Sequence, residues 1–197
     1  MDDSVTHTAP GRHVSAVLAV AVPLLAMAWV LALPQRAGLM IFPQQMVALM
    51  LGLSLAVCFL RPRPGTSLGL LDRLLAAASL ALAAHVFVRF PVLSERAWDH
   101  PVEAATVGVA VILLVMEGLR RVIGITLIII FAALVLYAVA GQWVPGALQG
   151  RPQPIGDVLQ YLGTDSSATW GQSLQIAAFV VVLFVLFAAF LMGTGGS

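Results

Sequence analysis

The sequence predicts an all-α integral membrane protein with about six transmembrane helices and with both termini in the cytoplasm. Sixty per cent of its residues are hydrophobic and 10% are charged, whereas about a quarter of the residues in soluble domains are charged. The charged residues form short clusters between long apolar runs, which is typical of a polytopic membrane protein. The net charge of +1 gives no indication of a nucleic-acid partner.

Six apolar runs are long enough to cross a bilayer as helices, since a crossing takes roughly 20 residues. They cover residues 14–33, 44–60, 68–90, 102–119, 122–140 and 174–192. The first run does not fit a signal peptide, because the segment before it contains two aspartates and one arginine and the run itself is too long. Pro23 falls inside this run and predicts a kink or a missing hydrogen bond there.

The arginines indicate the orientation of the chain. Six lie on the side of the N-terminus and four on the other side: Arg12, Arg61, Arg63, Arg73, Arg120 and Arg121 against Arg36, Arg89, Arg96 and Arg151. The two densest clusters, "RPRPG" and "LRR", fall on the same side. Because cytoplasmic loops carry an excess of basic residues, the N-terminus is predicted to be cytoplasmic, and six crossings return the C-terminus to that side.

A few polar residues in or beside the apolar runs are candidates for chemistry. His85 stands four residues before Arg89 on one helix face, and ionisable groups inside membranes are often functional. A proton relay is one interpretation; the favoured one is an interfacial histidine that hydrogen-bonds to a neighbouring helix. Asp72 and Glu103 are interpreted as acids in the first turn of their helices, with pairing between helices as a second role for Asp72.

The segment "EGLRR" (117–121) is too short to connect two full spans. It predicts a tight hairpin or a sharply bent helix, with Glu117 and Arg121 as a pair four residues apart. Cys58, the single cysteine, lies in an apolar run and is interpreted as a small hydrophobe. The sequence contains no HExxH, Walker or GxSxG motif and no Cys/His metal spacing. We therefore expect no enzyme, no metal site and no cofactor in this chain.

The long loop 141–173 is the candidate for contact with another protein. Its part "IGDVLQYLG" predicts a short amphipathic helix on the membrane surface. The candidate contact residues combine aromatic and charged side chains, the types favoured in binding hot spots: Trp143, Arg151, Tyr161, Asp165 and Trp170. The alternative for the two tryptophans is that they only anchor the adjacent helices at the membrane interface.

Two later segments carry the most recognisable pattern. Residues 113–148 contain "EGLRR" before an apolar helix and "LYAVAGQWVPG" after it; residues 161–196 contain "YLGT", "WGQSL" and "FVVVLFVLFAAFLMGTGG". These segments resemble the fused permeases of TRAP (tripartite ATP-independent periplasmic) transporters, in the branch that uses a TAXI-type binding protein. Residues 35–64 and 71–90 are more loosely similar to the small-subunit portion of that family.

The resemblance implies two parts, a small-subunit-like four-span module (1–118) and a connector helix, periplasmic loop and first scaffold helix of the large permease portion (119–197). It implies static scaffold for uptake of organic acids (carboxylates) across a bacterial inner membrane, coupled to sodium or protons. The implied partners are the remainder of the large permease portion, a periplasmic TAXI-type substrate-binding protein and membrane lipids. Substrate-binding residues are expected downstream of residue 197, so the chain is expected to be incomplete and to transport no organic acid alone.

Other classes of protein remain open at this point. The chain fits, less well, a stand-alone small permease subunit of a tripartite tricarboxylate-type transporter, because six apolar runs and the pattern from "EGLRR" onward exceed a four-span protein. A non-transport membrane assembly factor is another alternative. A membrane enzyme would need paired acids or histidines at one depth, and the sequence indicates only His85.

The predicted orientation can be measured with reporter fusions. Alkaline phosphatase fused after Gln149 should be active and fused after Arg63 inactive, because this enzyme matures only where disulfides can form. The opposite pattern, with activity after Arg63 and none after Gln149, would reverse the orientation.

Overall fold

The computed structural model describes residues 10–61, 68–95, 99–146, 149–151 and 153–195, with side chains from Val14 onward. Every regular element in these ranges is helical. The loop "RPRPGTS" after Arg61, with Arg63, and the segment 96–98, with Arg96, lie outside the described residues.

Long helical segments form the body of the chain. They are α1 (Pro10–Val30), α3 (Pro43–Leu60), α4 (Leu70–Glu95), α5 (Pro101–Val122), α6 (Ile125–Ala140), and α8 (Gln172–Ile176) continued by a π-helical stretch (Ala177–Val181) and α9 (Val182–Gly193). Shorter elements are α2 (Leu33–Arg36), a 3₁₀ turn (Gly141–Trp143) and α7 (Ile155–Thr164). Among the described residues, five helices are long and apolar enough to cross a membrane, and Val14–Val30 of α1 is a shorter apolar helix. An all-α membrane protein is therefore confirmed, and the sixth crossing stays a prediction.

The helix α3 lies at the centre of the bundle. Its side chains enter three apolar clusters: Ala48 with α4 and α5, Met46 and Val47 with α1 and the π-helical stretch, and Phe59 with α4 and α5 again. Helices α3 and α4 approach closely at Gly52, where a Cβ would collide with Ala83. Small residues at such crossings are how membrane helices gain van der Waals contact in a solvent that supplies no hydrophobic drive between them.

The helix α4 does not end at Phe90 as predicted but continues through Pro91 to Glu95. Proline has no N–H, so the carbonyl of Phe87, four residues earlier, loses its helical partner. Gln45 of α3 supplies the missing donor, since its Nε2 donates to Phe87 O at 2.5 Å while its Oε1 accepts the Phe42 N–H at 2.8 Å. A neighbouring helix thus restores the hydrogen bond that the proline removes, as a membrane interior requires.

The helices α5 and α6 form a hairpin whose connection is residues 123–124. Gly124 adopts φ +99°, a conformation that favours glycine. The predicted tight hairpin is confirmed, although "EGLRR" itself lies inside α5 and the turn follows it.

The amphipathic helix predicted at "IGDVLQYLG" is also confirmed, as α7. Instead of lying apart on a surface, it packs tightly against α5. A Cβ on Gly163 would lie 2.5 Å from the Ala104 carbonyl oxygen, and a Cβ on Gly108 would collide with Leu159 O. The two glycines allow the backbones of α5 and α7 to touch, so α7 belongs to the bundle.

The link between Gln45 and Pro91 can be measured with a double-mutant cycle. Gln45→Leu should lower the free energy of unfolding by about 0.5–2 kcal/mol, because it leaves the Phe87 carbonyl without a donor. Pro91→Ala restores a backbone N–H, so the double variant should lose less than the two single variants together. Denaturant titration in detergent measures both; Gln44→Leu, which leaves both hydrogen bonds in place, is the control. If the stability losses of the two single variants simply add in the double variant, Gln45 does not compensate for Pro91.

Candidate functional site

Ionisable side chains gather at both ends of the α4–α5 pair. The two helices are antiparallel, so the last turns of α4 meet the first turn of α5 at one end, and the first turn of α4 meets the last turn of α5 at the other. We call these the Glu103 end and the Arg121 end. The predicted orientation makes the Glu103 end periplasmic.

At the Glu103 end, one carboxylate is shared by two side chains of α4. Arg89 donates Nε to Oε1 of Glu103 at 3.1 Å and Nη2 to Oε2 at 2.9 Å, a two-pronged pair. His85, one helical turn earlier, places Nε2 3.1 Å from the same Oε1. The histidine therefore contacts a neighbouring helix, in accord with the favoured interpretation, and Glu103 is an inter-helix partner as well as a first-turn acid.

At the Arg121 end, a buried guanidinium joins three helices. The Arg121 side chain is 7% exposed; its Nη1 lies 2.7 Å from Oδ1 of Asp72 and its Nε 2.8 Å from Oε1 of Glu117. Its Cζ stands 4.8 Å from the centre of the Phe59 ring on α3, within cation–π range. The predicted Glu117–Arg121 pair is confirmed, and Asp72 takes the inter-helix role that was second among its expected roles.

Arg120 also belongs to this cluster, because it binds the carboxylate of Glu117. Its Nε lies 2.7 Å from Oε2, and the Arg120 side chain is half exposed. Glu117 is thus held by two arginines of its own helix, and one of these also reaches α4. This connectivity makes Arg121, rather than Arg120, the residue on which the contact between helices depends.

The distance between the two clusters matches a membrane. Glu103 and Arg121 are 18 residues apart on one helix, which corresponds to about 27 Å at a rise of about 1.5 Å per residue. The hydrocarbon core of a bilayer is about 30 Å thick. The clusters thus lie where each charged side chain can reach the membrane boundary while α4 and α5 span the interior.

The candidate contact residues of the loop 141–173 have very different environments. Trp143 is 82% exposed on the 3₁₀ turn and Tyr161 is 49% exposed on α7. Arg151 is exposed and Asp165 is partly buried. Asp165 accepts hydrogen bonds from the backbone N–H and the hydroxyl of Ser167, so its carboxylate orders the turn after α7.

Trp170 is the exception among these five residues, because it is only 1% exposed. It lies in the apolar cluster between α3, α4 and α5, with Ala48, Phe90 and Val107. Its Nε1 donates to Gly163 O at 2.9 Å, so the indole fixes the end of α7 to the bundle. Because the protein covers its ring, Trp170 presents no surface to a binding partner or to the membrane interface.

Tyr161 and Asp165 line a cleft of about 590 Å³ at the Glu103 end. The cleft lies between the last turn of α4, the end of α6 and one side of α7. Eight of its ten lining residues are polar: Ser94, Glu95, Gln153, Asp157, Gln160, Tyr161, Thr164 and Asp165. Sequence reasoning did not select Glu95 or Gln160, because only the packing of α7 brings Gln160 beside Glu95 at the end of α4.

The part of the chain with described side chains contains no group of three or more His, Cys, Asp or Glu residues that could hold a metal ion. No protein-family model matches the chain, and no curated protein and no solved structure matches it significantly.

The role of Arg121 gives a stability prediction. Arg121→Gln should lower the free energy of unfolding by about 1.5–3 kcal/mol, because it removes the cation that Asp72 and Glu117 share, while Glu117 keeps Arg120. Combining it with Asp72→Asn should recover part of this loss. Chemical denaturation in detergent measures the change, with Arg120→Gln as the control that removes an exposed arginine from the same carboxylate. Equal losses for the two arginine variants would show that Arg121 does not hold the helices together.

Proposed function

We propose that this chain forms part of the static scaffold of a TRAP-type transporter in a bacterial inner membrane, which takes up organic acids delivered by a periplasmic binding protein. The family assignment rests on the motifs in residues 113–148 and 161–196. The observation that carries the scaffold role is the double clamp on α4 and α5: ion pairs join these helices at both ends, about 27 Å apart. A scaffold must keep its shape while another part of the transporter moves, and two clamps prevent sliding and splaying.

The filled interior of the bundle also supports this role. The cavity between α3, α4 and α5, next to Ser79 and Trp170, has a volume of about 10 Å³. That is room for at most one water molecule. Transport sites near the membrane midplane are built instead from broken helices around a substrate-sized space. The α3–α4–α5 core therefore suits support rather than passage of a substrate.

Two long apolar segments offer surfaces on which further membrane helices could pack. No residue of α6 is buried, and of the segment from Gln172 to Gly193 only Ala178 is buried. In the proposed complex, the remainder of the large permease portion and lipid share these surfaces. The sodium or proton site and the carboxylate site belong to that remainder.

The cleft beside Tyr161 is the proposed contact for the periplasmic binding protein. Tyrosine is a frequent hot-spot residue, and Tyr161 stands at the edge of a cleft that also carries Glu95, Asp157 and Asp165. Such a surface fits a partner that presents basic side chains, because complementary charge guides association. Trp143 and Arg151 extend the candidate surface on the same side of the membrane.

A photo-crosslinking experiment in cells tests the proposal. A benzophenone amino acid at Tyr161 should crosslink to a periplasmic substrate-binding protein. Phe42 is the matched control, since it is also 49% exposed at the Glu103 end but lies outside the cleft. Crosslinks to the binding protein from both positions, or from neither, would reject the docking surface.

A second arm measures function in proteoliposomes that contain the complete transporter. Asp157→Arg combined with Tyr161→Ala should weaken binding of the substrate-binding protein by about tenfold or more, which corresponds to about 1.4 kcal/mol. Ion-driven carboxylate uptake should fall in parallel, while Arg36→Ala at the same membrane end should leave it unchanged. Sodium-dependent uptake by this chain alone would overturn the scaffold role, because the substrate site would then lie within it.

A further inference from the structure

Three exposed arginines lie at the same end of the bundle as Arg121. Arg61 stands two residues after Phe59, over whose ring Arg121 stands. Arg73 follows Asp72, which pairs with Arg121, and Arg120 precedes Arg121 in the chain. Because Arg121 joins the ends of α3, α4 and α5, it holds the three helix ends that carry these arginines at one side of the bundle. We call Arg61, Arg73 and Arg120 the arginine rim.

The carboxylates at this end are already used by the protein. Asp72 and Glu117 both bind Arg121, and Glu117 also binds Arg120. Among the described side chains of this end, four guanidinium groups therefore face two carboxylates. The Glu103 end has the opposite balance, with three arginines (Arg36, Arg89, Arg151) against five carboxylates (Glu95, Asp99, Glu103, Asp157, Asp165). Among the described residues, the net positive charge therefore lies at the Arg121 end, where Arg120 is paired with Glu117.

Exposed apolar side chains lie next to the rim on the same two helices. Leu70 and Leu74 are exposed in the first turns of α4, and Val122 and Ile123 are exposed where α5 ends. A soluble anion would engage only the guanidinium groups. A molecule with an anionic head and hydrocarbon tails would engage the rim and these apolar side chains together.

We propose that the arginine rim binds the headgroup of an anionic phospholipid, whose acyl chains lie along the first turns of α4 and the end of α5. Arginine suits this task, because its planar fork matches a phosphate and it is less strongly hydrated than lysine. Basic clusters at the end of membrane helices recognise anionic lipids through the same attraction. Arg121 does not donate to the lipid; it positions the rim by joining three helices. This inference does not depend on the proposed transport function.

Lipid retention by the purified full chain is the test. In native mass spectrometry after exchange into defined micelles, the chain should retain phosphatidylglycerol about tenfold more than phosphatidylcholine of the same acyl chains. Arg61→Gln combined with Arg73→Gln should bring this ratio to about one. Arg36→Gln combined with Arg151→Gln removes the same charge from the opposite end and should leave the ratio unchanged. All these variants keep Arg121, and circular dichroism verifies their helicity.

The proposal fails if the unaltered chain retains the two lipids equally, or if both pairs of substitutions lower the ratio to the same degree. Inorganic phosphate separates a lipid site from a soluble-anion site. At millimolar concentration and constant ionic strength, phosphate should not displace phosphatidylglycerol; displacement would show that the rim takes a soluble anion. The comparison of lipids and the phosphate competition need only the unaltered chain, so they decide the question even if a variant folds poorly.

Discussion

The burial of Arg121 is the constraint on which the arrangement of α3, α4 and α5 depends. An arginine that is 7% exposed at the end of a membrane helix must have its charge neutralised by nearby groups, since an unpaired buried charge costs several kcal/mol. Asp72 on α4, Glu117 on α5 and the ring of Phe59 on α3 supply those groups together. The three contacts can form only in one register of the three helices. A slip of α4 by one turn would move Asp72 by about 5.4 Å and separate its carboxylate from Arg121.

The same requirement for satisfied polar groups explains the other fixed points of the bundle. Pro91 frees a backbone carbonyl within α4, and Gln45 of α3 reaches it, so a local defect in one helix becomes a bond between two. Trp170 donates its indole N–H to Gly163, which attaches the loop after α7 to the core. Hydrocarbon offers neither water nor a hydrophobic drive between helices. These few polar bonds, together with close approach at small residues such as Gly52, Gly108 and Gly163, therefore determine which helices are neighbours.

The two ends of the bundle differ in what they present to partners. The Glu103 end carries an acidic cleft and exposed aromatic residues on the elements after α6, which suit transient contact with a protein that has basic side chains. The Arg121 end carries excess arginine beside exposed leucine and valine, which suits lipid. Between them, the described cavity of the α3–α4–α5 core has room for at most one water molecule. In the proposed scaffold, these three properties would fix the depth and position of a moving domain.

Hydropathy alone determined that the chain is helical and crosses a membrane, because apolar runs of about 20 residues have few other stable solutions. Local pattern also predicted α7, the tight hairpin after "EGLRR" and the pair of Glu117 with Arg121, all of which involve residues close in sequence. Sequence did not reveal that Glu103 binds Arg89 and His85, that Asp72 binds Arg121, that Gln45 corrects Pro91, or that Trp170 is buried. Each of these contacts joins residues on different helices or on a helix and a distant loop. Each helix would have the same hydropathy pattern whichever neighbours it packed against. Only the packing of the helices therefore decides which polar groups meet.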